Sequence, residues 1–134
     1  MQVGALLVAF LLGFTVFARA DDIVAAGQSV IQAQEEAFAR DDAAAAYAFA
    51  APSIQSQFPT PDTFMHMVRN GYAPVYRHRS FEFGESTSVD GKLLQVVHII
   101  DAEGGAWDAV YFLEAQADGS LKISGCVLKK AVIS

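Results

Sequence analysis

Leu93–Gln116, LLQVVHIIDAEGGAWDAVYFLEAQ, reads as two strands and the turn between them. Leu93 to Ile100 is a run of apolar and β-branched residues. Asp101-Ala102-Glu103-Gly104-Gly105 has the composition of a turn, and Ala106 to Gln116 is a second strand. Strand alternation sets Trp107, Ala109, Tyr111 and Leu113 on one face and Val110 and Phe112 on the other. Upstream, Val75 to Phe83 forms a further extended stretch, with Phe81 and Phe83 on one face and Glu82 on the other. It reaches Leu93 through Val89-Asp90-Gly91-Lys92, where Asp-Gly accepts the positive φ of a tight hairpin. Downstream, Ala117-Asp118-Gly119-Ser120 turns into Leu121 to Leu128. Three successive turns of hairpin length predict a four-stranded antiparallel meander. Both of its faces are apolar. One packs on helices, and the other calls for sheet curvature, a dimer partner or the chain end to cover it.

Helices precede the sheet. Ile23, Gly27, Val30, Ile31, Gln34 and Phe38 recur at steps of three and four, the stripe of an amphipathic helix with Gln34 as its one polar member. Arg40-Asp41-Asp42 breaks it and supplies a carboxylate cap for an alanine-rich second helix, Ala43 to Ala51. Pro52-Ser53 restarts the chain. Thr60-Pro61-Asp62 opens a third helix with a threonine cap, a proline in the first position and an acid where the helix dipole favours it. Gly71 closes that helix. Helices first and a meander afterwards specify an α+β fold with N-terminal helices packed on a curved four-stranded sheet.

Ahead of these elements, Val3 to Phe17 carries no charge and ends in Ala18-Arg19-Ala20. An apolar stretch followed by an A-x-A site reads as a signal peptide over residues 1–20, cleaved after Ala20. The run breaks at Arg19 and the pair Asp21-Asp22, short of a stable membrane span. The 114 residues that follow, 21–134, suit one domain in a periplasmic or secreted setting. Removing Arg19 from the nine basic residues leaves eight against 15 acidic ones. That balance repels phosphate backbones and excludes general nucleic-acid binding. Cys126, the single cysteine, rules out an intrachain disulfide and any zinc site built on paired cysteines. No calcium-loop, H-x-H or H-E-x-x-H spacing occurs, so neither a metal nor a cofactor is expected.

AFARDDAAAAYAFAAPSIQSQF (residues 37–58), FMHMVRNGYAPVYRHRS (64–80), QVVHIIDAEGGAWDAVYFLE (95–114) and DGSLKISGCVL (118–128), in that order, resemble the DUF4864 family of small, mostly exported bacterial proteins. The resemblance spans nearly all of the chain after Ala20. It implies an NTF2-like, cystatin-like arrangement of helices on a curved antiparallel sheet. It brings no catalytic residues with it, and fold alone does not give function.

The densest polar cluster is Tyr72, Tyr76, Arg77, His78 and Arg79, where the third helix hands over to the sheet. Alternation sets Arg77 and Arg79 on one side, a pair able to grip a carboxylate or phosphate. The ordinary alternative is pairing with surface carboxylates. His78, His98 and Asp101 are the candidate bases, against ordinary roles as hydrogen-bonded histidines and a turn residue. Trp107 and Tyr111 share a strand face and either line a cavity or fill it. Cys126, in an apolar strand, reads as a small buried hydrophobe.

Two functions fit. One is a non-enzymatic module of the bacterial cell envelope that binds a small apolar or anionic ligand, or assembles, for example as a homodimer through the sheet. The other is a small pocket enzyme, an isomerase or hydrolase, with His78, His98 or Asp101 as base and Arg77 or Arg79 as anion clamp. The leader reading is checked by N-terminal sequencing of protein recovered from the producing cell. The first residue is expected to be Asp21, and an intact Met1 in the membrane fraction contradicts it.

Overall fold

The computed structural model describes residues 19–132, so the signal peptide expected over residues 1–20 lies outside the described residues except for Arg19 and Ala20. Among the described residues no helix is long and apolar enough to cross a membrane. Among the described residues five helices come first: α1 (Ala20–Ala39), α2 (Ala43–Ala48), α3 (Pro52–Gln57), α4 (Pro61–Gly71) and the single turn α5 (Ala73–Tyr76). Four strands follow: β1 (His78–Val89), β2 (Lys92–Asp101), β3 (Ala106–Ala115) and β4 (Leu121–Lys130). They pair antiparallel in the order β1-β2-β3-β4, an open meander. The α+β reading holds.

The helix starts follow local chemistry. Asp42 caps α2 by accepting from the Ala45 amide at 3.1 Å. Thr60 and Thr63 cap each other's backbone at the head of α4. Asp90 and Gly91 both adopt positive φ, as a tight hairpin between β1 and β2 requires.

Val75 and Tyr76 do not begin the sheet. Pro74 pre-sets a helical φ, and the Tyr72 carbonyl accepts from the amides of both Val75 and Tyr76 at 2.9 and 3.1 Å. Val75 is buried there, so tertiary packing overrides its preference for a strand.

One sheet face is covered. α1 packs on β1, β2 and β4 as well as on α2 and α5. Its stripe Gly27, Ile31, Gln34 and Phe38 meets Leu93, Val97 and Ile99 of β2, Ala109, Tyr111 and Leu113 of β3 and Ile123 of β4. Two polar side chains are buried in this layer. The Gln34 amide donates to the Ala46 carbonyl at 3.1 Å and hangs α2 on α1. The Gln95 amide donates to the Gly84 and Glu85 carbonyls at 3.1 and 3.3 Å, where β1 shifts register, and accepts from Gln28 of α1 at 3.2 Å.

At Gly27 the backbone of α1 comes so close to the sheet that an added Cβ would overlap Leu93 Cδ2, and Leu93 is itself sealed in the core. Gly27→Ala gains helix propensity of about 1 kcal/mol but forces an overpacking that costs roughly 1–3 kcal/mol. A net loss of about 1 kcal/mol is expected, larger for Gly27→Val, read as a lower denaturant midpoint at unchanged slope.

Candidate functional site

α4 packs chiefly on α2 and α5 rather than on the sheet. α3 meets β4 near Ile123, where Ala51 donates to the Ile123 carbonyl at 2.7 Å and Ile123 donates to Phe49 at 2.8 Å. Between these supports and the edge strand β4 a cleft of about 380 Å³ remains, within the usual range of small-molecule sites. Ile54 and Phe58 line it from α3, Phe64, Met67 and Val68 from α4, Gln34 and Phe38 from α1, and Tyr111, Ile123 and Cys126 from the sheet. Phe112 and Val127, 39 % and 44 % exposed, stand at its rim. Among the described residues no Asp, Glu, Lys, Arg or His lines it.

Its polar groups are few. The Tyr72 hydroxyl donates to the Cys126 carbonyl at 3.1 Å, and burial raises its pKa above the ordinary phenol value. The Ser124 hydroxyl donates to the Phe112 carbonyl at 3.2 Å. Burial pushes the Cys126 thiol up to about 12, so it lines the cleft as a neutral, inert group. Tyr111 is only 2 % exposed, and burial raises its pKa well above the ordinary value.

The remaining candidates stand apart from the cleft. Arg77 donates to Asp41 at 3.0 Å and to the Phe38 carbonyl at 2.8 Å, and lies 3.9 Å over the Tyr76 ring. Tyr76 donates to the same Asp41, which sits at positive φ in the α1–α2 turn. The Tyr76 hydroxyl first, and then Arg77, hold the Asp41 carboxyl below its usual range. Arg79 lies instead beside Gly104, in the turn between β2 and β3. The two guanidiniums are therefore not brought together. The register shift between His78 and Ser80 breaks the alternation that would have aligned them.

Asp101 belongs to the same turn as Gly104. Its carboxylate accepts from Trp107 Nε1 at 2.8 Å, from the Gly105 amide at 2.7 Å and from the Glu103 amide at 3.0 Å. The Trp107 bond foremost, and the Gly105 amide next, hold it below the usual carboxylate range. Trp107 is thereby tied to the turn and does not line the cleft. His78 has an acceptor at each ring nitrogen, the Pro74 carbonyl at 3.0 Å and Glu35 at 2.8 Å, and locks α1 to β1. Of the sequence candidates, Tyr72 and Tyr111 line the cleft.

Sequence reasoning missed one pair. His98 Nδ1 lies 2.7 Å from Asp108 on the uncovered face of the sheet, and a Cβ at Gly84 would come within 2.5 Å of His98 Nε2. Cross-strand register joins His98 to Asp108, a signal recoverable only with the hairpin pairing fixed. Ile54, Phe58 and Met67 were also missed as cleft residues. They read as ordinary helix apolars, and nothing local marks them as facing a gap.

A family model described as "Domain of unknown function (DUF4864)" matches residues 20–132. No curated protein and no solved structure matches the chain significantly.

The Cys126 environment has a direct readout. At pH 8 a thiol titrating near 12 is ionised to on the order of one part in 10⁴. Iodoacetamide is therefore expected to alkylate the native protein on the order of 10³-fold more slowly than the chain unfolded in guanidinium, followed by mass spectrometry. Equal rates would contradict the burial of this side chain.

Proposed function

The chain belongs to the DUF4864 family, and from that premise we propose that it is a non-enzymatic binding module of the bacterial cell envelope, holding a small apolar molecule in the cleft between α3, α4 and β4. The observation that carries this reading is the lining. A concave site of about 380 Å³ walled by Phe38, Ile54, Phe58, Phe64, Met67 and Val68 removes apolar ligand surface from water, worth about 25 cal/mol per Å². Acid–base catalysis requires a titrating group within reach of the substrate. The candidate bases His78, His98 and Asp101 and the arginines all lie outside the lining, which favours binding over the isomerase or hydrolase alternative. The apolar run closing in Ala18-Arg19-Ala20 supports export to the periplasm or beyond.

A second reading is a homodimer through the sheet. The face opposite α1 presents Leu94, Val96, Val110, Phe112 and Val127 with no described element over it. A single apolar face suits the self-complementary contact of a two-fold dimer.

Native mass spectrometry of the protein purified from periplasm separates these. A monomer that retains an apolar molecule, and that binds the neutral dye Nile red in its place, is the expected result. Ile54→Asp, which sets a carboxylate in the lining, is expected to weaken dye binding at least about tenfold. A ligand-free dimer whose dye binding Ile54→Asp leaves unchanged would support the sheet-face reading instead.

A further inference from the structure

Three polar side chains in the cleft are already engaged by the protein's own backbone, and a fourth, Gln57, is exposed to solvent. Gln34 donates to Ala46, Tyr72 to Cys126 and Ser124 to Phe112. Tyr111 differs. Its hydroxyl makes no hydrogen bond to any described side chain or carbonyl, although the residue is 2 % exposed. Among the described residues every fully sealed side-chain nitrogen or oxygen has a partner. The Tyr111 oxygen is therefore not fully sealed, and the residue lines the cleft. A phenol in that position is a hydrogen-bond donor waiting for an acceptor.

We infer that the cleft takes a neutral, mainly hydrocarbon ligand carrying one carbonyl-type acceptor, which seats on the Tyr111 hydroxyl. This rests on the binding reading above and narrows it, choosing between the apolar and anionic ligand classes. An anion would enter a site with no cation in its lining. It would also lose its hydration there without compensation. A pure hydrocarbon fits the walls but leaves the hydroxyl unpaired. The neutral acceptor satisfies both. The raised pKa of Tyr111, set first by burial and also by the Glu35 carboxylate, keeps it a donor across physiological pH.

Four probes of similar size test this by displacement of Nile red: methylcyclohexane, cyclohexanone, cyclohexanol and cyclohexanecarboxylate. Wild-type protein is expected to prefer cyclohexanone to methylcyclohexane by about three- to tenfold, and to bind the carboxylate most weakly. Tyr111→Phe removes no intramolecular hydrogen bond, so its thermal midpoint is expected to match or exceed wild type. It should lose the preference for cyclohexanone and keep its affinity for methylcyclohexane. Equal binding of ketone and hydrocarbon by both proteins overturns the inference and leaves the binding function standing, as does the carboxylate binding tightest. If neither Nile red nor any probe binds, the binding function itself fails, and this inference with it.

Discussion

Helix α1 can lie flat on the sheet because Gly27 has no side chain. The backbone approaches until Leu93 fills the place a Cβ would occupy, and this contact fixes the helix's height and rotation for the three turns that follow. Ile31 then meets the core, Gln34 reaches Ala46, Glu35 reaches His78, and the Phe38 carbonyl accepts from Arg77. These residues lie four, seven, eight and eleven positions beyond Gly27, along one side of the helix. A change in the height of α1 would move them together, since interiors are packed too densely to absorb a shift in one place. Gln95 adds a polar check on the same docking: its amide meets both α1 and the register shift of β1, so β1 and α1 are placed by one buried side chain.

The cleft follows from what α1 does not cover. A sheet face four strands wide is broader than one helix, and α1 shares the β4 side with α3. α3 is short, and the Phe49–Ala51 segment that leads into it is pinned at Ile123 by two backbone hydrogen bonds. α4 turns its apolar side toward α2 and α5, with Phe64 against Phe38 and Tyr47. Met65 and Val68 of α4 are buried in the core, and Met67 and Val68 also border the gap toward β4. The volume is thus a consequence of how few contacts join α4 to the sheet, and its apolar walls are the flank of the core cluster, Phe38, Phe64, Val68 and Ile123 among them.

Features set by local chemistry were legible in the sequence. The Asp90-Gly91 turn, the Thr60 cap and the Asp42 cap depend on residues within four positions of one another, and the structure repeats each of them. The meander and its inward face, Ala109, Tyr111 and Leu113, were legible from alternation. Failures occurred where a distant partner decided. Val75 and Tyr76 have strand-like side chains, but Pro74 and the packing beneath Val75 hold them in a helical turn. Arg77 read as half of an anion clamp because its partner, Asp41, lies 36 residues away in sequence. Within the candidate site, the aromatic character of Tyr72 and Tyr111 was visible. That both border empty space was not, since a gap is a property of the pairing between α4 and β4 and leaves no mark on either segment alone.

The placement of charge completes the argument for a neutral occupant. This is an acidic chain, with 15 acidic residues against nine basic, and the carboxylate whose charge is felt at Tyr111 is Glu35. Glu35 is turned away from the cleft by its bond to His78. Its field still reaches the phenol through a poorly screened interior, and its sign opposes any second negative charge arriving there. The Arg77 guanidinium is closed on Asp41 and Tyr76 at the α1–α2 corner, so it offers no compensating attraction. A molecule that brings its own hydrocarbon to the walls and a single uncharged acceptor to Tyr111 meets every one of these conditions.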